Sequence, residues 1–145
     1  MTKQKKQTIE GLIELVKGYA PKADLDLIRL TYEFAKEAHS GQFRKSGEPY
    51  IVHPLGAAYI IAEMKIDPII VMATLLHDVP EDTAVTLDEL EQNFGQEIRN
   101  LVEGITKLGK LKYRGVERYI ENLRKMFVAM AEDVRVMIIK FADRI

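Results

Sequence analysis

The chain has 145 residues, 47% of them hydrophobic and 30% charged, which indicates a single globular domain and excludes an intrinsically disordered protein. A formal net charge of -1 excludes binding to nucleic acid through bulk positive charge, and the absence of cysteine excludes disulfides, cysteine-ligated zinc and a thiol nucleophile. No apolar stretch approaches the ~20 residues that cross a bilayer and no secretory signal is recognisable, so we expect a cytoplasmic protein without a nucleic-acid or membrane partner.

The first part of the chain has the periodicity of amphipathic helices. Apolar residues at positions 9, 12, 13, 16 and 19 predict a first helix that ends before Pro21. Asp24 can cap a second helix that runs to about His39, and a polar loop over residues 42–48 follows. A proline in the first turn predicts a third helix, which begins at His53-Pro54.

The helix predicted from Asp67-Pro68 to Asp78 is apolar on nearly every side, so we expect it to be central and buried. Thr86 begins a capping box, and apolar stripes over residues 98–108 and 119–130 predict two more helices. A last apolar helix begins near Val134, and the sequence stops at Ile145. No stretch alternates with period 2 for long enough to form a sheet, so we predict an all-α fold, and we expect the chain to be a fragment of a longer protein.

Ionisable residues occupy unusual places in these helices. His53 opens one helix, His77-Asp78 ends the central one, and Asp143 ends the apolar run of the last. Such groups are costly in apolar surroundings unless they are paired or bind a metal. Taken singly, each is more often structural; taken together, they favour one divalent ion, and the mixed nitrogen and oxygen donors suit manganese, iron or zinc better than calcium. His39 lies on an apolar stripe and is interpreted as a core histidine.

Two adjacent ligands on one helix constrain the backbone. Side chains of neighbouring helical residues point in different directions, so His77 and Asp78 can serve one ion only near a helix end. We therefore expect the helix to end within a residue or two of Asp78, with Val79 and Pro80 outside regular helix.

Five segments form long, ordered motifs: GQFRKSGEPYIVHP at 41–54, LLHDVPEDT at 75–83, VEGITKL at 102–108, RKM at 124–126 and DVRVMIIKFADR at 133–144. Together they resemble the hydrolase domain of the RelA/SpoT family, a branch of the HD-domain metal-dependent phosphohydrolases, over roughly residues 25–145. The resemblance implies an all-α HD-domain bundle, truncated at its C-terminal side. We expect residues 1–145 to form a single HD hydrolase domain, with residues 1–7 as a frayed terminus.

The resemblance also implies a function. Members of this family remove the 3′-pyrophosphate of the alarmones ppGpp and pppGpp, leaving GDP or GTP, and usually use manganese; another divalent transition metal is the alternative. It implies metal ligands His53, His77, Asp78 and Asp143, catalytic residues Glu81 and Asp82, and substrate-binding residues Arg44, Lys45 and Ser46. The implied partner is the guanosine nucleotide (p)ppGpp, and the parent chain is expected to carry synthetase and regulatory domains.

The residue types suit this chemistry. An ion with four protein ligands keeps positions for a water and a phosphate oxygen, and lowers the pKa of the water towards about 7 in favourable sites. Glu81 or Asp82 can accept the proton, and the sequence does not say which of the two is the base. Arg44 can stack on a purine and Lys45 can contact a phosphate, although composition alone favours a solvated loop.

Two other functions stay open. An HD-type phosphohydrolase acting on other nucleotides needs the same metal site. The Arg44-Lys45-Ser46 loop is the feature that distinguishes it from a (p)ppGpp hydrolase. A non-catalytic all-α regulatory module is the third candidate function, and it is motivated by the uncapped apolar end of the last helix. The presence of Glu81 and Asp82 argues against this module.

Overall fold

The computed structural model describes residues 6–109 together with Ile139, Ala142 and Asp143. Within these residues the chain forms seven helices and an isolated antiparallel bridge between Phe43 and Pro49, without a sheet. The helices are α1 (Ile9–Tyr19), α2 (Leu25–Ala38), α3 (Val52–Glu63), α4 (Pro68–Leu76), α5 (Val79–Asp82), α6 (Leu87–Phe94) and α7 (Gln96–Gly109). The predicted all-α fold is therefore confirmed. The helix predicted over 119–130 and most of the last one lie outside the described residues.

Side-chain caps fix where several of these helices begin. The Asp24 carboxylate accepts a hydrogen bond from the backbone N–H of Leu27 at 3.0 Å, and the Thr86 hydroxyl accepts one from the N–H of Glu89 at 3.2 Å. Each bond satisfies an N–H that has no partner within its helix. The starts of α2 and α6 were predicted from these two caps, and both predictions are confirmed.

Helix α4 lies at the centre of the bundle, as its composition predicts. Every residue from position 70 to position 76 is buried, and the helix packs against α2, α3 and α7. Its one buried hydroxyl, on Thr74, donates to the backbone carbonyl of Ile70 at 2.6 Å and so adds no unsatisfied polar group. None of the helices in the described part of the chain combines the length and apolarity needed to cross a membrane.

The backbone after α4 departs from the prediction at one point. Helix α4 ends two residues before Asp78, as expected, but Val79 and Pro80 begin the short helix α5 instead of lying outside regular helix. Proline is tolerated there because an N–H in the first turn has no intrahelical partner to lose. The interruption is therefore a two-residue turn at His77 and Asp78, and the hydrogen bond from the Asp82 N–H to the Asp78 carbonyl at 3.0 Å belongs to the first turn of α5.

Residues 43–49 form a tight hairpin turn within the predicted polar loop. The Arg44 N–H donates to the Glu48 carbonyl at 2.9 Å, and the Gly47 N–H donates to the Arg44 carbonyl at 2.8 Å. Gly47 has a φ of 88°, in the left-handed region that glycine adopts without steric cost. This is the three-residue hairpin loop that closes on a left-handed residue, and it presents the segment between Arg44 and Gly47 to solvent.

Candidate functional site

Two imidazoles and two carboxylates converge at one point of the bundle. His53, His77, Asp78 and Asp143 each offer a ligand atom, and these atoms all lie within 4.8 Å of one another. Asp143 Oδ1 lies 2.7 Å from His53 Nε2 and 3.0 Å from His77 Nε2. Asp78 Oδ2 lies 3.2 Å from His77 Nε2 and 3.8 Å from His53 Nε2. The structure thus brings together the four residues predicted as metal ligands, here called the His/Asp cluster.

Three parts of the chain deliver these side chains. His53 stands in the first turn of α3, where its backbone N–H donates to the Tyr50 carbonyl at 3.0 Å. The His77-Asp78 turn directs two adjacent side chains to one point, because the regular helix has already ended. Asp143 is helical and lies one position after Ala142 and four after Ile139, both of which are buried in the core.

The hydrogen bonding of His77 indicates that its other ring nitrogen needs a cation. Its Nδ1 lies 2.6 Å from the Thr74 carbonyl oxygen. A carbonyl only accepts hydrogen bonds, so Nδ1 carries a proton and Nε2 of the neutral ring is an acceptor. This acceptor faces the carboxylate oxygens of Asp78 and Asp143, and the His77 side chain is fully buried. Three acceptors facing one another require a proton or a metal ion between them. In metal-binding histidines the ring nitrogen that does not bind the metal usually donates a hydrogen bond to a carbonyl or carboxylate, as His77 Nδ1 does to the Thr74 carbonyl.

The charges in the cluster point to the same conclusion. Burial lowers the pKa of His77, but the hydrogen bond and charge of Asp143 and the charge of Asp78 outweigh it, so the pKa of the imidazole is raised. Burial raises the pKa of Asp143, but the hydrogen bonds from His53 and His77 hold it well below its usual range. The carboxylates therefore draw positive charge into the cluster, and a divalent ion can supply that charge in place of protons. The donor set fits a divalent metal.

The predicted acidic pair stands on α5, beside the cluster. Glu81 and Asp82 both have exposed side chains in the turn of helix that directly follows Asp78. Asp82 Oδ2 lies 3.1 Å from the Tyr50 hydroxyl, and the same hydroxyl lies 2.8 Å from Asp78 Oδ2. Tyr50 thus links one member of the acidic pair to the cluster.

The predicted substrate-binding residues stand on the hairpin and are not members of the cluster. Arg44, Lys45 and Ser46 are exposed on the hairpin, where the Ser46 hydroxyl lies 3.4 Å from a carboxylate oxygen of Glu48. Among the described residues, no hydrogen bond or ion pair joins these three side chains to the His/Asp cluster. Their place on an exposed tip makes their side chains accessible to a ligand.

Sequence reasoning gave no role to Tyr50 and Gln42, which contact the acidic turn. The Gln42 side-chain amide donates to the Asp82 carbonyl at 2.5 Å. Burial and the nearby carboxylates of Asp78 and Asp82 raise the pKa of Tyr50, so its hydroxyl stays protonated and can donate. Both residues belong to the 41–54 motif, but their partners are far away in the sequence, so spacing could not reveal these contacts. His39 is 3% exposed and lies outside the cluster, which confirms its place in the core, but its Nε2 has no hydrogen-bond partner among the described residues, so it is not the fully satisfied core histidine that was expected.

Comparisons with known proteins extend these observations. The bifunctional (p)ppGpp synthase/hydrolase SpoT of Escherichia coli is 51% identical over 136 residues, which are 93% of this chain and 19% of the relative. A guanosine-3′,5′-bis(diphosphate) 3′-pyrophosphohydrolase of Aquifex aeolicus is 46% identical over 94% of this chain and 19% of the relative. A GTP pyrophosphokinase of Myxococcus xanthus is 47% identical over 89% of this chain and 18% of the relative. The chain spans about a fifth of the length of these curated relatives.

The family follows from a match over most of the chain. The sequence model described as the HD domain matches residues 31–145, a range that contains the whole His/Asp cluster. The resemblance to the RelA/SpoT hydrolase domain, drawn above from five motifs, is confirmed by the identities to the SpoT-type relatives. The chain belongs to the HD-domain family.

Proposed function

We propose that this chain hydrolyses the 3′-pyrophosphate of (p)ppGpp, leaving GDP or GTP and releasing pyrophosphate. The observation that carries the proposal is the convergence of two histidines and two aspartates directly beside an acidic turn. The names of the similar proteins from Escherichia coli and Aquifex aeolicus support (p)ppGpp as the substrate. An HD-type hydrolase of other nucleotides is the second candidate, because the same cluster serves that chemistry.

In this proposal His53, His77, Asp78 and Asp143 are the metal ligands, and manganese is the ion. Imidazole nitrogens combined with carboxylate oxygens suit a divalent transition metal, and iron or zinc is the alternative. When bound, the ion polarises a phosphate oxygen and lowers the pKa of water. The Thr74 carbonyl holds the His77 ring in the tautomer that leaves Nε2 free to ligate.

The acidic turn does the proton chemistry. Hydrolysis adds one water: its oxygen joins the phosphorus, the bond from that phosphorus to the 3′ oxygen breaks, and the 3′ oxygen takes up a proton. One carboxylate of the pair Glu81 and Asp82 accepts the proton of the water, and the other orients it. Tyr50 holds Asp82 at the edge of the cluster, which supports Asp82 as the orienting member.

The hairpin binds the nucleotide. The guanidinium of Arg44 stacks on the guanine, while Lys45 and Ser46 contribute to the rest of the pocket. All three side chains are exposed on a hairpin whose turn is fixed by backbone hydrogen bonds, so their Cα positions are set before the ligand arrives.

The wider setting is part of the same proposal. The 145 residues are one HD hydrolase domain, and the parent protein carries synthetase and regulatory domains. The greater length of the relatives and the words "synthase" and "pyrophosphokinase" in their names support this arrangement. A cytoplasmic location is part of the proposal, because the proposed substrate is a guanine nucleotide.

The test is a direct assay of the full-length natural protein. With Mn²⁺ and ppGpp we expect release of pyrophosphate and formation of GDP, and we expect both to stop when EDTA removes the ion and to resume when Mn²⁺ is restored. A panel of GMP and deoxynucleoside monophosphates tests the substrate. Cleavage of these nucleotides with no cleavage of ppGpp would establish the second candidate, and metal binding without any turnover would establish a non-catalytic module.

A further inference from the structure

The hydroxyl of Tyr50 lies between two carboxylates that would otherwise repel each other. It is 2.8 Å from Asp78 Oδ2 and 3.1 Å from Asp82 Oδ2. These aspartates are four residues apart, a spacing at which like charges destabilise a helical turn. A donor between them offsets the repulsion, so the hydroxyl holds the Asp82 carboxylate close to a member of the His/Asp cluster.

Gln42 holds the backbone of the same residue. Its Nε2 donates to the Asp82 carbonyl at 2.5 Å, and its Oε1 lies 2.9 Å from His39 Nδ1. Only the amide NH₂ group can donate to a carbonyl, so Oε1 faces the imidazole and accepts from Nδ1–H. The buried His39 ring therefore fixes which way the Gln42 amide points.

The two contacts form one unit. The Tyr50 backbone N–H donates to the Gln42 carbonyl at 3.0 Å, and the His39 and Tyr50 rings pack against each other with centroids 4.6 Å apart and an angle of 34° between their planes. Gln42 and Tyr50 are also the residues that flank the Phe43–Pro49 bridge of the hairpin. The base of the hairpin is thus fastened to the side chain and the backbone of Asp82.

We propose that Tyr50 and Gln42 are positioning residues that hold Asp82 against the His/Asp cluster and couple the hairpin to the acidic turn. This inference rests on the proposed function and deepens it, because it says how one member of the acidic pair is kept in place. Tyr50 and Gln42 act through Asp82 and need no contact with the substrate. Their loss should therefore lower kcat by a larger factor than it raises KM.

Two conservative variants test the inference in the full-length natural protein at saturating Mn²⁺. Tyr50→Phe removes the hydroxyl and keeps the ring that packs against His39. Gln42→Glu keeps the shape and the acceptor for His39 but replaces the donor to Asp82 by an acceptor. We expect each to lower kcat for ppGpp about ten-fold with a smaller change in KM, in line with the effect of residues that support a metal site.

The matched control is Tyr19→Phe. The Tyr19 hydroxyl is partly buried and donates to the Ile66 carbonyl at 2.6 Å, far along the chain from the acidic turn. This variant loses one hydrogen bond of a tyrosine, as Tyr50→Phe does, and we expect wild-type kcat. An equal fall in kcat for Tyr19→Phe and Tyr50→Phe would show that the loss of activity comes from general destabilisation, and it would overturn the inference.

A second measurement needs no substrate. The Asp82 N–H donates to the Asp78 carbonyl and the Thr83 N–H donates to the Val79 carbonyl, both at 3.0 Å. We expect the hydrogen exchange of both amides to be faster in Tyr50→Phe and Gln42→Glu than in the wild type, and to be unchanged in Tyr19→Phe. Unchanged exchange overturns the inference, and so does faster exchange with unchanged kcat. If the wild-type protein itself fails to cleave ppGpp, the proposed function fails, while the exchange result still decides whether the two residues hold the turn.

Discussion

The His/Asp cluster and the hairpin are built in opposite ways. The cluster side chains are largely buried, with exposures from 0% for His77 to 22% for His53, and they come from three separate parts of the chain. The side chains of Arg44, Lys45 and Ser46 are exposed and come from one hairpin of consecutive residues.

The difference shows which part of the site the core determines. Because α4 is buried on all sides, the position of its last turn is set by packing, and with it the position of His77 and Asp78. The hairpin is set by its own turn geometry and by its attachment at Gln42 and Tyr50. Changes in the cluster should therefore abolish chemistry, whereas changes at the hairpin tip should alter binding by modest factors.

Asp143→Ala should have the largest effect. It removes the oxygen that lies within 3.0 Å of both ring nitrogens, so we expect Mn²⁺ affinity to fall at least about 100-fold and hydrolysis to fall to background. Isothermal titration with Mn²⁺ and a pyrophosphate-release assay measure the two effects. Asp88→Ala is the control, because the Asp88 side chain is 81% exposed in a surface ion pair, and it should change neither. Wild-type Mn²⁺ affinity in Asp143→Ala would contradict its assignment as a ligand.

Glu81→Gln should separate chemistry from metal binding. We expect Mn²⁺ affinity to stay at the wild-type value, since Glu81 is outside the cluster, and kcat to fall by about 10²–10⁴-fold if Glu81 is the base. Glu89→Gln changes another exposed glutamate in the first turn of a helix and should leave kcat intact. Loss of the metal in Glu81→Gln would disprove the division of roles, and an unchanged kcat would transfer the role of base to Asp82.

Arg44→Ala should act on binding alone. A stacked guanidinium is worth about 1–2 kcal/mol when it is partly desolvated, so we expect KM for ppGpp to rise roughly ten-fold with kcat and Mn²⁺ affinity unchanged. Arg29→Ala removes an exposed arginine of α2 and should have no effect on KM. Steady-state kinetics on the two variants decide the matter, and an unchanged KM in Arg44→Ala would remove this residue from the nucleotide pocket.

Gly47→Ala should have the smallest effect. A Cβ at this position meets no atom within 4 Å, so the cost comes from the backbone φ of 88° and amounts to roughly 1–2 kcal/mol of unfolding free energy. Gly47→Asn should cost less, because asparagine adopts this conformation more readily than alanine. Urea unfolding measures both, and equal losses for the two variants would show that backbone conformation is not the cause.

Much of the fold could be predicted because local signals determine it. Asp24 and Thr86 cap helices in the way their side chains predict, and the apolar composition of α4 predicts its central place. The short helix α5 was missed because Pro80 was interpreted as a helix breaker, although in a first turn it is compatible with helix. The hairpin was described only as a polar loop, and Gly47 was the signal that could have revealed its turn.

The site was predictable only in part, and distance along the chain is the reason. His77 and Asp78 are adjacent, but Asp143 lies 65 residues after Asp78, and only its place at the end of an apolar helix and the motifs of a known family grouped it with them. The contacts of Tyr50 with Asp78 and Asp82 span 28 and 32 residues. Such contacts depend on how α3 and α4 pack, which periodicity does not specify.

The two-residue turn after α4 has a consequence for how this sequence can vary in length. Each residue added to a helix rotates everything after it by about 100°. A single insertion within α4 would either turn His77 and Asp78 away from His53 and Asp143 or displace the buried helix from the helices that pack against it. An insertion at the hairpin tip would leave the cluster where it is, but it would move the residues proposed to bind the nucleotide. Length differences between related sequences should therefore be absent between Pro68 and Asp78.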